Sequence, residues 1–118
     1  MTVRRIVANI AAGDPLRASA FYETLLGLKI VMDQGWIVTF ASEGSAMPQL
    51  SVMSEGGSGM PVPDLSIEVD DVDDIHRRAV SGGFEITYGI TDEPWGVRRF
   101  FVRDPFGKLV NILSHPAK

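Results

Sequence analysis

Cysteine is missing from all 118 residues, so the chain makes no disulfide, offers no thiolate to a metal and has no cysteine nucleophile. Histidine occurs only twice, at His76 and His115. Basic residues are the minority, 11 Lys and Arg against 15 Asp and Glu, and they form no run; a net charge of −4 argues against a nucleic-acid partner. No stretch is apolar for long enough to span a bilayer, and the opening MTVRRIVANI lacks a signal-peptide core, so no membrane partner is expected and the expected location is the cytoplasm. There is no Ser/His/Asp arrangement, phosphate loop or dinucleotide fingerprint.

What is present is an ordinary globular composition, 45% hydrophobic and 22% charged, at a length that suits one domain or two half-domains sharing a core. The most informative stretch is Arg98–Leu113, RRFFVRDPFGKLVNIL. Asp104-Pro105-Phe106-Gly107 has the residues of a type I turn, which predicts two antiparallel strands around it. In the second, Leu109, Val110, Ile112 and Leu113 are apolar on both faces, as in a strand buried on both sides. Asn111 interrupts that run, and a buried amide needs hydrogen-bond partners.

Read in order, Val3–Ala11 is a first strand. Asp14 and Pro15 open a helix as N-cap and first residue; Ala18, Phe21, Tyr22 and Leu25 form its apolar stripe, and Gly27 ends it. Strands follow at Leu28–Asp33, Trp36–Ala41 and Gln49–Met53, with turns at Gln34-Gly35 and Ser42–Ser45. Ser54–Pro63, SEGGSGMPVP, has the composition of a flexible connector. The pattern then recurs: a strand at Leu65–Val69, a helix capped by Asp71 with Asp74 three residues on, an apolar stripe of Val72, Ile75 and Ala79, and a stop at Gly82-Gly83. Phe84–Tyr88 is a strand and Ile90–Gly96 a loop. The two halves align at Gly27-Leu28-Lys29-Ile30 and Gly83-Phe84-Glu85-Ile86, and at Asp14 with Asp70 or Asp71. Each is strand–helix–three strands, too small to bury its own sheet face alone.

DPLRASAFYETLLGL (Asp14–Leu28), IEVDDVD (Ile67–Asp73), EPWG (Glu93–Gly96) and RDPFGKLVN (Arg103–Asn111) together resemble the vicinal oxygen chelate superfamily, also called the glyoxalase/bleomycin-resistance/dioxygenase superfamily. The resemblance implies an α+β fold of two βαβββ modules, residues 1–53 and 64–118 joined by a linker at 54–63, forming a curved antiparallel or mixed sheet that wraps a cup. It also implies a homodimer, which would cover the apolar surface of so small a domain.

Strand parity sorts the residues of the two faces. Ile6, Ala8 and Ile10, Leu50 and Val52, Leu65, Ile67 and Val69, and Phe100 and Val102 suit the helix side. The cup side receives Val7, Asn9 and Ala11, Gln49, Ser51 and Met53, Asp64, Ser66 and Glu68, Arg99, Phe101 and Arg103, and Leu109, Asn111 and Leu113. Metal-using members of the family place His or Glu at four cup positions, which here fall on Val7, Gln49, Asp64 and Asn111. Asp64 alone is an ordinary metal ligand, so no metal or other cofactor is expected. His76 reads as a solvated helix residue and His115 as structural. Trp95, in a Pro/Gly-bounded loop, is expected at the rim; Trp36 reads as core or interface, and Glu93 as a loop charge.

The expected function is therefore metal-free binding of a small, partly planar molecule. Its candidate ligand-binding residues are Trp95, Phe101, Gln49, Asn111, Asn9, Ser51, Ser66 and Arg99. Two alternatives stand beside it. One is a metal-dependent lyase or dioxygenase of the glyoxalase type, built on Asp64. The other is a metal-free enzyme with Glu68 or Glu93 as base.

Overall fold

The computed structural model describes residues 2–42 and 48–116. They form eight strands: β1 (Val3–Ala11), β2 (Lys29–Asp33), β3 (Ile37–Ala41), β4 (Gln49–Met53), β5 (Leu65–Val69), β6 (Ile86–Asp92), β7 (Arg98–Arg103) and β8 (Leu109–Ser114). One α-helix, α1 (Val72–Ser81), follows β5. The chain divides into two compact units, an N-terminal one of Val7–Val62 and a C-terminal one of Met1–Ile6 with Pro63–Lys118. β1 passes from one to the other at Ile6. Beyond Ser42, the turn expected at Ser42–Ser45 lies outside the described residues.

In the N-terminal unit the strands run β2-β3-β4-β1. β3 is antiparallel to both β2 and β4, and β1 is parallel to β4, with Asn9 opposite Ser51. Val38, Phe40 and Val52 form the core, with Ala12, Ala18, Tyr22, Leu28, Ile30 and Leu50 packed against them. The helix expected after Asp14 is wound differently: a 3-10 turn over Pro15–Ala18 and a π-helical segment over Ala20–Leu25. The Asp14 side chain makes no capping bond; its carbonyl instead accepts the Arg17 N–H at 3.1 Å, the i→i+3 bond of a 3-10 turn. The altered winding turns half of the expected stripe away from the sheet. Ala18 and Tyr22 reach the core, while Phe21 and Leu25 stay exposed. β1 departs from its expectation too, since Ile6 and Ile10 are exposed and Val7 is buried. Ser54–Pro63 is no open tether. Gly56 N–H donates to Met60 at 2.7 Å and the Glu55 carboxylate accepts from Gly59 at 2.8 Å. A Cβ on Gly56 would lie 2.0 Å from the Pro61 carbonyl oxygen, so this turn requires glycine there.

The C-terminal unit runs β5-β8-β7-β6. β5 is parallel to β8, while β7 is antiparallel to β8 and to β6. Asp104–Gly107 makes the expected turn: Gly107 N–H bonds the Asp104 carbonyl at 3.1 Å, and the Asp104 carboxylate takes the N–H groups of Phe106 and Lys108. α1 is a regular amphipathic helix. Asp71 Oδ1 accepts the Asp74 N–H at 3.1 Å, and Asp73 and Asp74 place negative charge at its positive end. It lays Val72, Ile75 and Ala79 on Val69, Phe100, Val110 and Ile112. β6 begins two residues later than expected and runs on to Asp92, through much of the expected loop, because it pairs with β7 across two register shifts.

Candidate functional site

With α1 covering one face of the C-terminal sheet, strand alternation assigns Ser66, Asn111, Phe101 and Tyr88 to the other. Register puts them in one row: Ser66 opposite Asn111, Asn111 opposite Phe101, and Phe101 opposite Tyr88. Phe101 is fully buried, and its ring meets Tyr88 edge-on with centroids 5.4 Å apart. Asn111 is 6% exposed; its Nδ2 donates to Ser66 Oγ at 3.1 Å, and its Oδ1 is buried with no hydrogen-bond partner among the described residues. An amide carbonyl taken from water without a partner costs on the order of 1–3 kcal/mol. A bound molecule that donates there removes that cost.

At one end of this row lies a charge pair the sequence reading did not foresee. Glu93 and Arg99 are each only 3% exposed as side chains. Glu93 Oε2 accepts from Arg99 Nε and Nη2, both at 2.6 Å, and from Tyr88 Oη at 3.2 Å. The guanidinium sits 5.0 Å from the Trp95 ring centre, 5.5 Å from Tyr88 and 4.8 Å from Phe101. Three aromatic faces around a cation, with a carboxylate closing the shell, satisfy a charge that would otherwise be costly to bury. Glu93 is thus not the loop charge expected of it. It reaches this place because Glu93-Pro94-Trp95-Gly96 is a tight turn, closed by Gly96 N–H on the Glu93 carbonyl at 3.1 Å, with Gly96 at φ +94°. The signal was available: an arginine on a buried sheet face demands a counter-charge, and the next acidic residue across the turn is Glu93.

The structure therefore brings five candidate residues together in the C-terminal unit. Ser66, Asn111 and Phe101 form the row, and Arg99 and Trp95 lie beside it, with Trp95 half-buried. The other three lie in the N-terminal unit. Asn9 pairs in register with Ser51, which shares a 2.8 Å hydroxyl contact with Thr39, and Gln49 opens β4. Trp36 is half-buried just ahead of β3. His76 is not solvated as expected but half-buried, its ring edge-on to Phe100 at 5.0 Å. His115 lies next to the Glu68 carboxylate at 2.8 Å.

The four positions at which metal-using relatives carry ligands do not fit a transition metal. Val7 has no donor atom, and Gln49 and Asn111 offer neutral amides. Asp64 already accepts the Leu109 N–H through Oδ2 at 2.9 Å. Among the described residues no three His, Asp or Glu stand together as a ligand set. Glu68, the carboxylate on β5, is held between Arg5 at 2.7 Å and His115.

A cavity of about 340 Å³ lies on the helix side of the same sheet, walled by Ile75, Ala79, Phe84, Phe100, Val102 and Ile112. Its wall is almost wholly apolar, although Arg78, Arg103 and Asp104 also border it; binding sites combine apolar walls with a few placed polar groups, and the opposite face has such groups buried among its aromatic rings.

The model of the Glyoxalase/Bleomycin resistance protein/Dioxygenase superfamily matches residues 4–112, and the chain belongs to that family. Among curated proteins none matches. Solved structures of similar fold include the protein described as an NAD-dependent benzaldehyde dehydrogenase from Legionella pneumophila, 20% identical over 95% of this chain and 100% of that one, with a TM-score of 0.75. Another is a glyoxalase/bleomycin resistance protein/dioxygenase superfamily member from Vibrio splendidus 12B01, 16% identical over 98% and 100%, with a TM-score of 0.66. A third is methylmalonyl-CoA epimerase from Mycobacterium tuberculosis, 22% identical over 98% and 88%, with a TM-score of 0.64. At these identities the likeness is one of fold. No helix among the described residues is long and apolar enough to cross a membrane.

Proposed function

We propose that the chain binds a small, partly planar organic molecule without a metal, on the face of the C-terminal unit that carries Ser66, Asn111, Phe101 and Trp95. The observation that carries this reading is the buried, unpartnered Oδ1 of Asn111 beside the Phe101 ring. It is a directional polar group in an aromatic setting, at a position where metal-using members of the family place His or Glu. Arg99, held by Glu93, stiffens the aromatic wall rather than presenting a free charge. The molecule works as a homodimer, in which a second copy covers Ile10, Leu16, Phe21, Leu25 and Leu26, all exposed here.

Tryptophan fluorescence tests the site. A planar aromatic ligand changes the emission, Trp95→Phe removes most of that change and Trp36→Phe does not; the opposite pattern overturns the assignment. Elemental analysis after dialysis against mixed divalent ions tests the metal. Near-stoichiometric zinc, nickel, iron or manganese that is lost on Asp64→Ala would overturn the metal-free reading and favour the metal-dependent lyase or dioxygenase.

A further inference from the structure

Glu68, His115 and Arg5 form a charged cluster on the binding face that the reading above leaves unused. Glu68 shares its face of β5 with Ser66, two residues and roughly 7 Å along the strand. His115 follows β8 with the parity of Asn111 and Leu113, and its Nδ1 lies 2.8 Å from Glu68 Oε2. The other carboxylate oxygen, Oε1, meets Arg5 Nη2 at 2.7 Å. Burial works to raise the Glu68 pKa, but the hydrogen bond from His115 and the charge of Arg5 together bring it below the usual value, so the carboxylate is ionised at neutral pH. An ionised carboxylate only accepts, so His115 Nδ1 must carry the hydrogen. In the neutral imidazole that fixes the tautomer and leaves the lone pair on Nε2, in a side chain that is half-exposed. The charged neighbours on these strands are Arg5, Asp70, which is bonded to the Thr2 N–H, and Arg99, already closed by Glu93.

We propose that His115 Nε2 is the proton acceptor of this face and that the ligand is an aromatic or enolic molecule with an acidic hydroxyl, bound as its anion. The proton leaves the ligand O–H for Nε2, the bonding pair stays on the ligand oxygen, and the imidazolium is held by Glu68. This rests on the planar-ligand reading of the same face. Imidazole is the side chain suited to such an exchange near neutrality.

The probes are 7-hydroxycoumarin and its methyl ether, 7-methoxycoumarin, which has the same ring system and no acidic proton. Both quench Trp95 when they bind, and the hydroxycoumarin reports its ionisation through the red-shifted excitation of the phenolate. The expected result is that both bind and that the phenolate-to-phenol ratio of bound hydroxycoumarin rises about tenfold over the free dye at the same pH, equivalent to one pKa unit. His115→Gln keeps binding of the methyl ether and returns the ratio to that of the free dye, and Glu68→Gln reduces the rise. Binding of both dyes with an unchanged ratio, or a rise that survives His115→Gln, overturns the proton acceptor and leaves the planar-ligand reading intact. Failure of both dyes to bind or to quench Trp95 overturns that reading and the proposal with it.

Discussion

Asp14 and Asp71 stand at matching places in the two repeats, each opening a helical segment after a strand, and the segments differ from the first bond onward. The third helical position is Arg17 in one and Asp74 in the other. The Asp71 carboxylate takes the Asp74 N–H, which leaves the Asp71 carbonyl for Ile75 four residues on, at 3.4 Å. In the first repeat the Arg17 N–H goes to the Asp14 carbonyl itself, and the turn tightens to 3-10. Charge works the same way: Asp73 and Asp74 suit the positive end of a helix dipole, and Arg17 opposes it. The consequence is a C-terminal core closed by α1 and an N-terminal unit that leaves Phe21, Leu25 and Leu26 exposed. Two copies of one repeat can therefore differ in form, one closing its core under a regular helix and the other leaving apolar side chains exposed.

The comparison breaks most sharply at the buried ion pair, which the N-terminal unit has no equivalent of among its described residues. Glu93→Ala leaves Arg99 buried without its counter-charge, and urea denaturation is expected to show a loss of about 3–5 kcal/mol. The caps give a paired test. Asp71→Ala is expected to cost about 1 kcal/mol, while Asp14→Ala, whose side chain caps nothing, changes stability by a few tenths at most. Equal costs would remove the distinction between the two helices. The smallest effect on stability belongs to the exposed apolar residues. Phe21→Ser with Leu25→Ser is expected to move folding stability by less than about 1 kcal/mol. Light scattering is expected to show the mass falling from dimer to monomer; a wild-type chain that is already monomeric contradicts the covered surface.

Much of this was legible from the chain. The Asp104–Gly107 turn, the α1 cap and the alternation of β5, β7 and β8 follow from local chemistry and period, and they suffice to put Phe100 and Val102 under the helix and Phe101 on the opposite face. The N-terminal helix misled because Asp-Pro is a good start on its own, and the signal against it was an arginine at the third position. Ile10 shares a face with Val52 through their register, but the rewound helix leaves it exposed. The Glu93–Arg99 pair went unread because a charge just ahead of Pro94 in a turn reads as solvent-facing, although Arg99 on a buried face called for a counter-charge. The tight Glu93–Gly96 turn between β6 and β7 brings the two together. His115 was missed for a similar reason, since its meaning depends on Glu68, 47 residues earlier.

The central claim is that the ligand lies on the face of Asn111 and Phe101 and not in the apolar cavity beneath α1. Amide and side-chain chemical-shift mapping during titration with 7-methoxycoumarin separates the two, because the sheet stands between them. The account predicts the largest shifts at Ser66, Trp95, Phe101 and the Asn111 side-chain amide, with Ala79 and Phe84 nearly unmoved. Largest shifts at Ile75, Ala79 and Phe84, with the Asn111 amide unchanged, would contradict it.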